Sequence, residues 1–406
     1  MQKAAAVVPV VPSRRVLPAL CLGTSVTSLI MLAPGPFLPS MSDDFGVSVA
    51  LLGQVVAAMA ILSAPLGLVV GPIADRIGAR PLIMIGLVAA TACFLDFWIA
   101  PVFPLLFVAS LGGAICAATV PGLSLAIAGV RFNGRAAQRA IGWIIAANAT
   151  STVVGIPILT AIDGLAGWRS AFLAAGIATG IITLLVAAWL PADAPERPDA
   201  PLRIGAIFGA YPPLLRQAGM RQLYLCTVFR SITWAAMLTY LGAMLSERLG
   251  LSLGQIGLTY VGGGGGFFLG GLIAGGPLGR IPARPMVVVS CALSGGLSAL
   301  MLMATFGTAV TIALMPIVGM VGAFPQVGLT ALLASETRAG AGTTMTLNQS
   351  LNNAGAAIGA ALGGLLLATG GFDGVAYGVL GFGLLSALAV VRRPPEDAEL
   401  RPATVA

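Results

Sequence analysis

Few side chains in this sequence could do chemistry, and those that could are polar groups set inside long apolar runs. Arg230 is the plainest. It stands nine residues beyond Arg221, about 13 Å along a helix, so it would lie near the middle of a bilayer. A guanidinium there would attract an anionic or electronegative group if it faces water. Otherwise it snorkels or bonds helix carbonyls. Trp234 falls on the same helical face at i+4; it would either wall an aromatic or amphipathic solute or serve as packing. Asn148 and Asn352 carry amides at matching depths, with Asn348, Gln349 and Asn353 beside the second. Such amides either glue helices together or form a symmetric pair of solute hydrogen-bonders. Gln54, and Gln326 beside Pro325, are weaker members of the same set. Asp96 is the acid best placed to carry a proton, since a carboxyl out of water holds one more readily. At the outer interface it would instead be a solvated end residue.

Catalysis finds no support in this inventory. The chain has no His, and its five Cys (21, 93, 116, 226 and 291) all lie in apolar runs with no C-x-x-C pair. Neither a metal site nor a disulfide frame is expected, and the cysteines read as small apolar filler. No Walker loop, HExxH or GxSxG stands in a suitable context. The five-glycine run Gly262 to Gly266 lacks the following Lys of a phosphate loop and reads as a close-approach or hinge segment. The expectation is a non-enzyme without cofactor, metal or nucleic-acid partner.

The elements that hold these residues must be membrane helices. The sequence is 58% hydrophobic and 9% charged, against roughly 25% charged for a soluble domain. A soluble fold could not hide so much apolar surface. Glycine is abundant (54 residues) but shows no three-residue period, which suits apolar helices packed backbone to backbone. Residues 1–13 lack the core and cleavage site of a signal peptide, so the first span reads as retained. Apolar runs lie near 16–40, 48–72, 82–100, 104–129, 139–163, 170–190, 221–246, 253–276, 285–305, 308–334, 341–369 and 373–391. Each has about the 20 residues that a crossing needs.

With twelve spans and both termini inside, every Lys and Arg except Arg169, Arg230 and Arg248 falls in an inside segment, whereas Asp43, Asp44, Asp163, Glu247 and Asp373 fall outside. Cation asymmetry sets orientation, so both termini are expected in the cytoplasm of an inner (plasma) membrane protein. The net charge of +7 is therefore topological.

The two halves are a repeat. A slide of 204 residues sets GLVVGPIADRIGARP (67–81) on GLIAGGPLGRIPARP (271–285) with 8 identities in 15, and sets Pro121 on Pro325, Asn148 on Asn352 and Gly155 on Gly359. The organisation expected is a tail (1–15), a six-helix bundle (16–190), a cytoplasmic linker (191–220), a second bundle (221–391) and a tail (392–406). Pro191, Pro195, Pro198 and Pro201 open the linker, and an amphipathic piece near 203–217 closes it. Parallel repeats meet at a seam where transporters place their substrate.

The loop Gly71-Pro72-Ile73-Ala74-Asp75-Arg76-Ile77-Gly78-Ala79-Arg80 resembles the G-x-L-a-D-r-x-G-r-k motif of the major facilitator superfamily, at the position that family gives it. The resemblance implies the major facilitator fold: all-α, twelve spans in two pseudo-symmetric bundles. It also implies that this loop latches one conformation, through Gly71, Asp75, Arg76, Gly78 and Arg80, with Arg280 and Arg284 in the repeat. Span 11 starts on the same side as Asp75, so its positive end is available to that carboxylate. The bland alternative is a topogenic basic loop. Gly155-Ile156-Pro157 and Gly167-Trp168-Arg169-Ser170-Ala171-Phe172 resemble the antiporter-type fifth span of the drug/proton antiporter branch, which includes sugar and arabinose efflux permeases. The Arg common in span 4 of relatives and the acid common in span 1 are both missing. The reading is a secondary transporter moving a small organic solute by alternating access, as a proton-coupled monomeric exporter (efflux by antiport). The alternatives are a coupled importer of a small anionic metabolite and a non-transporting sensor of the same fold.

Overall fold

The computed structural model describes residues 14–192, 204–303, 307–337 and 339–391, and among these residues it is helical without strands. The expected tail segments 1–13 and 392–406, the prolines at 195, 198 and 201, and Arg338 lie outside the described residues.

The N-terminal half contains α1 (Val16–Leu32), α2 (Pro34–Phe45), α3 (Val49–Ile77), α4 (Ala79–Ile99), α5 (Phe103–Arg131), α6 (Arg135–Thr150), α7 (Ile156–Ala166) and α8 (Trp168–Trp189). Pro34 lacks the N–H that would continue the ladder, and α2 bends from α1 by 41°. Five residues of π-helix, Ser151–Gly155, join α6 to α7. Pro157 cannot donate to Val153, and the ladder slips to accommodate it. Two short helices of the linker follow: α9 (Ile204–Gly209) and α10 (Tyr211–Arg216). The C-terminal half holds α11 (Met220–Leu249), α12 (Leu253–Gly275), α13 (Ala283–Met303), α14 (Thr308–Glu336) and α15 (Ala341–Val391).

Nine of these helices and the continuous stretch through α6, the π-helix and α7 are long and apolar enough to cross a membrane, and the bent α1–α2 pair makes an eleventh span. The 51 residues of α15 would reach about 76 Å as one rod, against roughly 30 Å of hydrocarbon. The rod is broken at Gly371, where φ is 62° and ψ is −160°. The Leu366 side chain lies against Gly378 and its carbonyl against Gly374, so the chain doubles back there. α15 is two spans, and the total among the described residues is twelve.

The 204-residue slide is visible in the helices. It carries the bounds of α4 onto those of α13, and the outer bounds of the α1–α2 pair onto those of α11. It also carries Ser48 onto Ser252. Both serines cap a helix, accepting from the N–H of Leu51 and Gln255, and Gln255 completes a capping box.

Two seams join the halves. On one, α3 and α5 lie against the first arm of α15; on the other, α6 lies against α12. Hydrogen bonds across the seams cluster toward the end that carries the basic α3–α4 loop. The furthest from that end is Asn353 to Ser63, twelve residues or about 18 Å from Asp75. Among the described residues the opposite, acidic end is tied by ion pairs within each half, Arg169–Asp44 at 3.4 Å and Arg248–Asp373 at 2.9 Å. The Arg248 guanidinium holds the Asp373 carboxyl below its ordinary value.

The α6–α12 seam is made of backbone. A Cβ on Gly142 would lie 2.5 Å from the Gly271 carbonyl oxygen and 2.8 Å from the Gly275 Cα. Small residues allow this approach, and nothing larger fits. Gly142→Val is expected to part the basic end, so that a cysteine placed at the buried Thr346 reacts several-fold faster with a water-soluble maleimide. Unchanged labelling would mean that the seam does not hold that end shut.

Candidate functional site

The loop after α3 delivers Asp75 to the other half. Its carboxylate accepts from the backbone N–H of Gly342 (2.8 Å) and of Thr343 (3.2 Å) and from the Thr343 hydroxyl (2.5 Å). The two N–H groups are orphan donors of the first turn of α15, where the helix dipole is positive. Asp75 is buried at 6% exposure. Gly71, one turn earlier, lets α3 touch α15: a Cβ there would sit 2.8 Å from the Thr343 Cα. Gly78 ends α3 with φ at 92°, a conformation that side chains resist. Arg80 reaches the Ala187 carbonyl of α8 at 2.9 Å, and Arg76 is half-buried.

The repeated loop is different. The slide puts Gly279 where Asp75 stands, and Gly279 abuts Gln138 of α6. Arg280 is exposed. Arg284 donates to both carboxylate oxygens of Glu336, at 2.8 and 3.0 Å, tying α13 to α14 inside one half. Glu336 thus has a partner that reading along the loop does not suggest. The charged contact across the seams is one-sided.

Arg230 lies a third of the way along α11, buried at 8% exposure. Its NH2 donates to the Asn352 Oδ1 on α15, while Nε has no partner. It takes part in no ion pair among the described residues. A charge at this depth costs several kcal/mol unless water or a counter-group meets it. Its neighbours are polar and already engaged: Thr227 donates to the Asn348 Oδ1 (2.6 Å) and Ser231 to the Asn352 carbonyl (2.5 Å). The N-terminal half repeats the helix pairing without the charge. Ser28 of α1 donates to the Asn148 Oδ1 at 2.7 Å, and Ser151 bonds the Ser25 carbonyl. Asn148 and Asn352 are therefore each held by the first span of their own half.

The remaining candidates are scattered. Trp234 is half-buried, tilted against Phe267 with ring centroids 5.6 Å apart and packed on Gly322. Gln54 is exposed in the acidic third of α3, and Gln326 is half-buried in α14. Asp96 is half-buried in the last turn of α4, at the acidic end and far from Arg230 along the bundle axis.

Several residues that matter were not singled out in the sequence. Thr343 donates twice to Asp75, from its backbone N–H and its hydroxyl. Ser63 accepts across the seam from Asn353, an amide already noted in the sequence, at 3.2 Å, and Ser350 donates to the Ala64 carbonyl at 3.0 Å. Tyr211 of α10 donates to the Leu68 carbonyl; burial, aided by the nearby Asp75 charge, pushes its phenol above the ordinary value, so it remains a neutral donor. Gln217 donates to the Glu336 carbonyl, so the linker is fastened to both halves. Only the polarity of Ser63 and Ser350 within apolar runs could have flagged them.

A family model described as Major Facilitator Superfamily matches residues 20–359 and again 223–405. The chain belongs to the major facilitator superfamily. It shares that family's all-α multi-pass membrane fold, and its function is that of a secondary transporter. The Uncharacterized MFS-type transporter YceJ of Bacillus subtilis is 28% identical over 238 residues; the match spans 59% of this chain and 60% of that protein. The Transcription regulatory protein OpdE of Pseudomonas aeruginosa is 25% identical over 92% of this chain and 91% of its own. The Chloramphenicol resistance protein of Streptomyces lividans is 27% identical over 87% and 88%. The crystal structure of the human organic anion transporter MFSD10 shares the fold, with a TM-score of 0.77 at 17% identity, covering 93% of this chain and 99% of that one.

The Arg230–Asn352 contact yields a stability test. Asn352→Ala should lower the thermal midpoint in detergent, because it strips a buried guanidinium of its acceptor at a cost of about 1–3 kcal/mol. Adding Arg230→Met should recover part of that loss. A midpoint indifferent to Asn352→Ala would show that the bond carries no stability.

Proposed function

We propose that this protein exports a small organic solute from the cytoplasm across the inner membrane, in exchange for protons, and that the solute presents an anionic or electronegative group to Arg230. The observation that carries this reading is the state of Arg230: a buried cation whose one side-chain acceptor among the described residues is a neutral amide, with one nitrogen unpartnered. A solute anion would supply the missing counter-charge, and Asn352 would hold the guanidinium in place meanwhile. Asn148, Trp234, Gln54 and Gln326 are its proposed companions in the pathway. Export is favoured by the likeness to a chloramphenicol resistance protein and by the antiporter-type residues of the fifth span.

In this reading the basic end is cytoplasmic, as are both termini, and the chain works as a monomer. The structure then corresponds to a state shut toward the cytoplasm. Turnover requires Asp75 to leave the N-terminus of α15, the seams to part on that side, and the acidic ends to close. Asp96 is the proposed proton carrier. One specific observation favours a second reading, a membrane sensor of the same fold: OpdE, matched over most of both chains, bears a regulatory name.

Purified protein in liposomes should move its solute at a rate that depends on an imposed proton gradient; no response to any ion gradient would leave the sensor reading in its place. Arg230→Ala should abolish flux with insertion intact, and Arg230→Lys should keep part of it. Full activity in the alanine variant would remove Arg230 from the site. Asp75→Asn should slow turnover more than it weakens solute affinity, because it removes the charge that the helix end attracts, and an unaltered rate would leave that loop a topogenic element only. Asp96→Asn should uncouple flux from the proton gradient; coupling retained would acquit Asp96.

A further inference from the structure

Cys226 of α11 and Cys291 of α13 bring their sulfurs to 3.9 Å from one another. The two residues are 0% and 1% exposed. They come from different spans of one bundle, so packing alone pairs them. Arg230 stands one turn beyond Cys226 and lies within electrostatic range of both sulfurs. Its Nε has no hydrogen-bond partner. The cluster thus holds two thiols and one buried cation, and it includes no carboxylate in an ion pair with Arg230.

We propose that Cys226 and Cys291 form a two-thiolate site for one soft monovalent d10 metal cation of the copper(I) class, with Arg230 as its charge partner. Thiolate ligands select soft cations. Metal–sulfur bonds of about 2.3 Å place the sulfurs of a near-linear S–M–S unit about 4.6 Å apart, so the pair opens by less than about 1 Å. A disulfide at about 2.05 Å would require a closure of almost 2 Å. Binding breaks two S–H bonds, forms two S–M bonds and releases two protons; no electron moves. Two thiolates and one monovalent cation carry one negative charge, and Arg230 cancels it. The metal-free cluster carries an uncompensated positive charge in its place. A tetrahedral metal is not served, because no group of three or more His, Cys, Asp or Glu able to hold a metal occurs among the described residues. The covered sulfurs imply slow loading, as the bundle breathes.

Silver(I) is a redox-inert probe of the site. The full-length protein in detergent, equilibrated with silver(I) and desalted, should retain one silver per chain. X-ray absorption of the loaded wild-type protein should show two sulfur neighbours per silver. A variant with Cys21, Cys93 and Cys116 replaced by Ala should behave like the wild type. Cys226→Ser and Cys291→Ser should each lose the retained metal, and Arg230→Leu, which adds no soft ligand, should weaken binding by about 10-fold. The proposal is overturned if either serine variant holds silver as tightly as the wild type, or if the wild type holds none or fewer than two sulfurs around it. These readouts use no solute, so their failure leaves the transport reading untouched.

Discussion

A carboxylate resting on a helix N-terminus sets how the two halves of this protein meet. Asp75 lies at the far end of α3, and it accepts from Gly342 and Thr343 in the first turn of α15. The contact joins a charge to a dipole across a seam that is otherwise small and neutral. It sits at one end of the molecule, and it brings α3 alongside α15 as far as Ser63 and Asn353. With that end shut, the opposite end is free of hydrogen bonds between halves among the described residues. The asymmetry of the molecule along its axis follows from where this one charge is placed.

Gene duplication would make the second seam a copy of the first, and the chain departs from that. The position equivalent to Asp75 is Gly279, and the contact between α6 and α12 is glycine on glycine. One seam is held by electrostatics that a small displacement would break. The other is held by close backbone packing, which is weakened by any gap but has no charge to expose. In the proposed transport cycle, such a pair lets two bodies rock about a packed seam while a charged contact opens and closes.

The same economy governs the polar groups within the halves. Lipid offers no hydrogen bonds, so amides and hydroxyls inside it pair with one another or with helix carbonyls. Nearly all of them here do so: Ser28 with Asn148, Thr227 with Asn348, Gln349 with Asn353. Arg230 stands apart because its counter-charge is missing, and the duplicated N-terminal half has Val26 at the corresponding place. The buried cation is specific to the C-terminal bundle, as is the cysteine pair beside it.

The sequence alone determined the class of molecule, the number of crossings and the repeat, because hydropathy, charge bias and the Gly71–Arg80 motif are properties of consecutive residues. It also placed Asp75 on the same side as the start of span 11. Only the tertiary structure decided what each polar group touches. A helix apolar all round has no periodicity to say which face meets which neighbour, so the partners of Arg230, Arg284 and Asn148 could not be read along the chain. Cys226 and Cys291 looked like filler for the same reason: sixty-five residues separate them, and only the packing of α11 on α13 brings their sulfurs together.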